Sequence, residues 1–254
     1  MSKISRRRFL KIGALALPVA FGVDARLIEP TNLRVVNFDL TPDGACRFVH
    51  FSDFHHRGDV AYGAEVIRTI NEQQPDFVCF TGDLIENTKY LEEALGFISQ
   101  IKAPVYGSPG NHDYWSGAPF SEYERVFSGT GGRWLVDTSI ALPKHDLEII
   151  GMGLWGNPAL KPPQANRRIL LTHYPKAVDF LGERRYDLML AGHSHGGQVR
   201  IPGYGAIALP WGVGSYDLGY FETASGPLYV NPGIGTYRIP FRFNCRPEIT
   251  VVTI

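Results

Sequence analysis

Short apolar runs that break off into polar clusters recur along the chain, at residues 47–52, 77–81, 104–108, 147–152, 168–172, 188–191 and 228–230. Their brevity and the turn-forming residues that bound them predict buried strands. Between several of them, residues 64–71 and 89–101 space their apolar positions as amphipathic helices do. The alternation predicts an α/β fold in which loops emerge from strand ends. Residues 114–144 carry Gly117, Gly129, Gly131 and Gly132 and predict an insertion or irregular connection that covers part of a site. Residues 198–220 combine glycines with Tyr204, Trp211, Tyr216 and Tyr220, the composition of a hairpin or long loop rather than a helix.

A chain of 254 residues without internal repeat, low-complexity tract or composition break reads as one domain over residues 26–254, preceded by a leader over residues 1–25. Its 44% hydrophobic and 20% charged residues are the balance of a soluble globular protein and exclude disorder. The formal net charge of zero hides an asymmetry. Residues 1–25 hold Lys3, Arg6, Arg7, Arg8 and Lys11 against Asp24 alone, which leaves the body with 20 cationic and 24 anionic side chains, a net of −4. Such a body lacks the basic surface that neutralises nucleic-acid phosphates, so no nucleic-acid partner is expected and a small or local substrate is favoured. Cys46, Cys79 and Cys245 are odd in number and show no C-x-x-C spacing, which indicates neither a disulfide framework nor a thiolate zinc site. Cys79, inside an apolar run, is read as a small buried hydrophobe.

The leader begins Ser5-Arg6-Arg7-Arg8-Phe9-Leu10-Lys11 and continues as an apolar stretch over residues 12–23, short for a membrane-spanning helix of about 20 residues. It resembles the twin-arginine export signal at every position of that pattern. The resemblance implies export of the folded protein by the twin-arginine machinery, to the periplasm or the outer face of a bacterial membrane. Val23-Asp24-Ala25 offers a cleavage site, and the leader is either removed there or kept as an anchor.

Candidate chemistry sits where the apolar runs end. Asp53 and His55 follow the first run and, two apart, can point to one side of an extended backbone. Asp83 follows Gly82, which lets the chain turn tightly. Gly110-Asn111-His112-Asp113 combines a neutral oxygen ligand with an imidazole able to donate a proton. His173 ends another run, and Gly192-His193-Ser194-His195-Gly196 places two imidazoles in H-x-H spacing between glycines. Each segment alone has an ordinary structural explanation as a turn, a cap or a surface histidine. Together they supply a mixed oxygen and nitrogen set suited to borderline divalent ions such as Mn, Fe or Zn.

The ordered series D-x-H, G-D, G-N-H-D, H, G-H-x-H closely resembles the calcineurin-like metallophosphoesterases over nearly all of residues 53–195. The resemblance implies a four-layer α/β/β/α sandwich with two mixed β-sheets, and a dinuclear metal-dependent phosphoric ester hydrolase. It assigns Asp53, His55 and His195 to one divalent ion and Asn111, His173 and His193 to a second, with Asp83 shared and a bridging hydroxide as nucleophile. It gives His112 the protonation of the leaving oxygen, and by likeness to phosphoprotein phosphatases it gives Glu86 the orientation of His112. His56 is left to an outer or exposed role, His50 and His145 have no motif support, and Asp113 is read as stabilising its loop.

The short chain, the leader and the Gly-His-Ser-His-Gly-Gly-Gln segment look most like small bacterial phosphodiesterases of the YkuE and YaeI type, relatives of which hydrolyse UDP-2,3-diacylglucosamine. A lipid-linked phosphoester is therefore an expected substrate, and residues 201–221 are either a membrane-facing or acyl-binding segment or a hairpin packed on the sheet. A monomer is expected. A metallo-β-lactamase-like site is excluded because Gly196 and Gly197 follow His195 where that family has Asp-His. A phosphomonoesterase, and a metal-binding or inactive relative, are the remaining alternatives.

Overall fold

The protein is described by a computed structural model covering residues 22–41, 44, 46–156 and 163–254. The twin-arginine-like residues and most of the apolar stretch behind them lie outside the described residues.

Two six-stranded sheets face each other. In spatial order the first is β1 (Arg34–Asp39), β14 (Glu248–Thr253), β2 (Arg47–Phe51), β3 (Val78–Phe80), β4 (Val105–Gly107) and β5 (Arg133–Trp134). The second is β12 (Gly219–Thr223), β13 (Gly226–Val230), β9 (Leu188–Ala191), β8 (Arg167–Leu171), β7 (Leu147–Gly151) and β6 (Thr138–Leu142). Both are mixed. β2 to β5 run parallel with β14 antiparallel to β2, and β13, β9, β8 and β7 run parallel between the antiparallel edges β12 and β6.

The pleat's period of two sorts side chains between layers. Phe48, Cys79 and Tyr106 point inward and meet Ile149, Ile169 and Leu190 of the second sheet. Val49, Phe51, Val78 and Phe80 point outward under α1 (Val60–Glu72), α2 (Leu91–Ile98) and α4 (Phe120–Gly129). Asp59 caps α1 by accepting the Tyr62 N–H at 3.0 Å. The fourth layer is thin: Met189, Leu170 and Val230 are covered by Val178 and Leu181, from and just beyond the 3-10 turn Pro175–Phe180, and by Tyr186. The remaining helix, α3 (Asn111–Trp115), is a single short turn.

All seven runs read as strands from their apolar character are strands, within two residues at their ends, with 228–230 the last part of β13. Residues 114–144 are more regular than expected. The glycines there flank α4 rather than interrupt it, and Phe120, Tyr123 and Phe127 recur at spacings of three and four along its packed face. Residues 198–220 contain the two-residue pairing of β10 (Arg200–Ile201) with β11 (Gly205–Ala206), then loop up to the start of β12 at Gly219. Among the described residues no helix is long and apolar enough to cross a membrane.

The loop after β13 is pinned by a buried charge. Arg242 is fully buried, and its guanidinium donates to the carbonyls of Pro232 at 2.8 Å, Gly233 and Gly235 at 3.1 Å and Cys245 at 3.0 Å. Its own N–H donates to Ala25 O at 2.9 Å, and the Glu29 carboxylate accepts the N–H groups of Asn244 and Cys245. The chain is thus docked on the body from Ala25 onward. Arg242→Ala strands several buried carbonyls at once and should lower unfolding free energy by about 3 kcal/mol or more, read from a urea transition. A cost below about 1 kcal/mol would show that the loop holds itself without the guanidinium.

Candidate metal centre

Parallel strands deliver their carboxyl ends to one edge of the molecule, and that is where open α/β sheets place ligands. Asp53 follows β2, Asp83 follows β3 and Asn111 follows β4, while His173 follows β8 and His193 follows β9. The two sheets therefore each contribute loops to one cluster, in which Asp53, His55, Asp83, Asn111, His173, His193 and His195 are all buried.

The local backbone differs from the extended chain expected of D-x-H. Asp53, His55, Asp83, His193 and His195 all have left-handed φ, between 46° and 64°. Neighbouring backbone enforces this turn: Gly235 N–H donates to Asp53 O at 2.7 Å, and the N–H groups of Asp53 and His55 donate to Gly82 O and Asp83 O at 2.9 and 3.0 Å. Asp53 and His55 reach the same centre because the chain coils back on itself, not because of the pleat. Gly82, at φ 92°, lies so near Gly110 that a Cβ would fall 2.1 Å from the Gly110 nitrogen, and a Cβ on Gly192 would strike Ser52 Oγ at 1.9 Å.

Two groups of donor atoms result. In one, His55 Nε2 and His195 Nε2 lie 3.1 Å apart, with Asp53 Oδ1 3.8 and 3.4 Å from them. In the other, His173 Nε2 lies 3.2 Å from His193 Nδ1 and 3.0 Å from Asn111 Oδ1. Asp83 Oδ2 stands between the groups, 3.5 Å from His55 Nε2 and 3.3 Å from His173 Nε2.

The second histidine pair tests the fit of a cation. His173 donates from Nδ1 to Thr81 O at 2.7 Å, and His193 donates from Nε2 to Trp211 O at 2.6 Å. In both neutral rings the remaining nitrogen, the one facing the other ring, therefore carries a lone pair. Two lone pairs 3.2 Å apart in a buried site repel unless a cation or a proton lies between them. The donor set thus fits divalent metal, and the outward N–H bonds to carbonyls are the kind that fix metal-ligating imidazoles.

Electrostatics tells the same story without metal. Burial pushes His55 down, but Asp53, Glu86 and Asp83 outweigh it and raise its pKa to about 10. His173 is raised to about 9 against burial, chiefly by Asp83. Burial and the neighbouring His173 charge lower His193 to about 4. Asp83 is lowered to about 2 despite burial, by His173, His55 and His112. Protons on one histidine of each group supply the positive charge that the surrounding carboxylates favour.

His112 belongs to neither group but borders them, with a ring nitrogen within 4.8 Å of donor atoms of His55 and Asp83. Its N–H donates to Asp83 Oδ1 at 2.7 Å, while its ring Nδ1 lies 3.2 Å from Glu86 Oε2. The other oxygen of Glu86 is 2.6 Å from His55 Nδ1 and 3.3 Å from Arg57, so this carboxylate touches both rings. Asp113 accepts the N–H groups of Asp83, Leu84 and Gly110 at 2.8 to 3.0 Å, and the Tyr123 hydroxyl at 2.9 Å, and so clamps the loop that carries Asp83. His56 turns away to Glu93, His50 to Thr81 Oγ1, and His145 to Asp76. A cavity of about 420 Å³ opens over the centre, walled by Trp115, Trp155, Tyr174, Trp211 and Tyr237 with Arg238 at its side. Of these walls, sequence reading singled out only Trp211; Trp115, Trp155, Tyr237 and Arg238 belong to no spaced motif, and isolated aromatics carry no local signal of where a loop folds.

A family model described as calcineurin-like phosphoesterase matches residues 46–197. The chain is 32% identical to the uncharacterized metallophosphoesterase YkuE of Bacillus subtilis, over 100% of this chain and 99% of that one. It is 29% identical to the phosphodiesterase YaeI of Escherichia coli, over 99% of both. Its identity to the UDP-2,3-diacylglucosamine pyrophosphatase LpxG of Chlamydia trachomatis is 26%, over 94% of each. With a matching model that takes in every motif from Asp53 to His195, the chain belongs to the calcineurin-like phosphoesterase family.

Proposed function

We propose that the protein is a dinuclear metal-dependent phosphodiesterase acting on a lipid-linked phosphoester at the outer face of a bacterial membrane, reached by twin-arginine export. The observation that carries the reading is the pair of imidazole contacts at 3.1 and 3.2 Å joined through Asp83. Asp53, His55 and His195 would hold one divalent ion, Asn111, His173 and His193 the other, and Asp83 both, with Mn, Fe or Zn matching the donors. Bound there, the ions would supply Lewis acidity, activating water and neutralising charge on the phosphoryl oxygens.

The remaining chemistry falls to the chain. Burial would raise Glu86, but His112 and His55 outweigh it and hold the carboxylate well below its usual range. Glu86 thereby orients the His112 ring through Nδ1, and the ring delivers a proton from Nε2 to the departing ester oxygen. Asp113 keeps the Asp83 loop rigid while charge moves. Among the described residues the cavity wall holds one fixed cation, Arg238, beside aromatic rings. That suits the single negative charge of a diester better than a dianionic monoester. The relatives named as a phosphodiesterase and as a UDP-2,3-diacylglucosamine pyrophosphatase support the same substrate class.

Protein loaded with manganese should hydrolyse bis-p-nitrophenyl phosphate faster than p-nitrophenyl phosphate. Asp83→Asn should lose about a hundredfold or more in kcat, and Glu86→Gln about ten- to a hundredfold. Full metal loading without turnover of either ester would leave a metal-binding protein, and preference for the monoester would make it a phosphomonoesterase.

Metal uptake should also release protons. His55 and His173, with pKa raised to about 10 and about 9, are protonated at pH 7.5, and each must lose its proton to bind. Affinity should therefore tighten as pH rises toward 9, with about two protons released per filled site in calorimetric titrations across buffers of different ionisation enthalpy. Uptake that is independent of pH would contradict this protonation state.

A further inference from the structure

A second cavity, of about 360 Å³, adjoins the one over the metal centre and shares Trp155, Tyr174 and Trp211 with it. The shared wall is mechanically part of the site: the Tyr174 ring packs edge-on against His193 with centroids 4.4 Å apart and against Trp211 at 5.6 Å, and the Trp211 carbonyl accepts from His193. Beyond it lie Met152, Leu154, Ala177 and Leu181, on the thinly covered outer side of the second sheet. Phe180, Trp155 and Trp211 stand at its mouth with about three quarters of their surface in solvent.

Among the described residues the lining has no Asp, Glu, Asn, Gln, Ser or Thr. A nucleobase or sugar lodged there would lose water from its polar edges and find few partners, at a cost of about 1–3 kcal/mol per unpaired group. Hydrocarbon loses nothing of that kind. Two cations, Lys176 and Arg184, complete the lining, and among the described residues neither has a carboxylate partner. The Lys176 stem lies beside Gly214 and the residue is exposed, which suits an anionic surface.

Resting on the phosphodiesterase reading above, we propose that this groove is the subsite for the alkyl or acyl tail of the substrate, whose phosphodiester lies over the metal centre while the tail passes Trp211 and Trp155 into the pocket. The lipid is identified only by its chemistry, an anionic phosphodiester bearing at least one hydrocarbon chain. The exposed rings mark the side from which the chain enters, as Trp does at membrane interfaces.

The test uses p-nitrophenyl phosphodiesters whose second group is methyl, hexyl or decyl, kept below their micelle concentrations, with the manganese-loaded full chain. kcat/KM should rise at least about tenfold from methyl to decyl. Ala177→Trp, which fills the groove, and Phe180→Asp, an exposed change that leaves the core intact, should each flatten that rise while the methyl ester is cleaved within about twofold of the unsubstituted protein. A flat series, or a slope that both variants keep, overturns the tail subsite. A thymidine p-nitrophenyl ester that outperforms the decyl ester and loses its advantage in Ala177→Trp also overturns it, in favour of a base pocket. Decyl phosphate against methyl phosphate, followed by tryptophan fluorescence, separates the two readings. If no ester turns over, the proposed reaction fails, yet chain-length-dependent quenching that Ala177→Trp abolishes still upholds the groove, and its absence sinks it.

Discussion

One carboxylate is held where two groups of lone pairs meet. Asp83 Oδ2 lies within 3.5 Å of a histidine nitrogen on each side, and each of those nitrogens faces another imidazole. Between His173 and His193 no pair of neutral rings satisfies the contact, so that half of the site either binds positive charge or takes up a proton to replace it. The raised pKa of His173 is the second outcome. The fold's task is to keep the ligands together against their mutual repulsion.

It does so with backbone rather than with long side chains. Five of the candidate ligands sit in left-handed conformations that cost about 1–2 kcal/mol each for residues other than glycine. They are held there by amide bonds from adjacent loops, by Asp113 gripping the Asp83 turn, and by Arg242 fixing the loop that donates to Asp53 O. Strain of this kind persists only where the surroundings over-determine it. The two packed sheets provide those surroundings, since each loop starts from the end of a strand buried on both faces.

Much of this was legible in the sequence because strands buried on both faces are short apolar runs, and the chemical residues follow them directly. Less legible was what depends on distant pairing. β14 is an interior strand buried from Glu248 to Val252, yet its sequence, Glu-Ile-Thr-Val-Val-Thr, reads locally as an ordinary half-polar segment. α4 was obscured by glycines that turn out to mark its ends. Motif spacing pointed to the ligands, but it implied an extended D-x-H where the chain is in fact coiled, because hydrogen bonds from residues 82–83 and 235 decide the conformation. Glu86 was legible as a partner of His112, but its contact with His55 was not. The aromatic walls, including Trp155 and Tyr237, became visible only when loops far apart in sequence were seen to share a cavity.

The account stands on two cations sharing Asp83. Anomalous X-ray scattering at the manganese edge, from crystals of the metal-loaded protein, tests that claim most directly. Two peaks are predicted, one among Asp53, His55 and His195 and one among Asn111, His173 and His193, each within bonding distance of Asp83. A single peak, or a pair in which Asp83 touches only one ion, would contradict it.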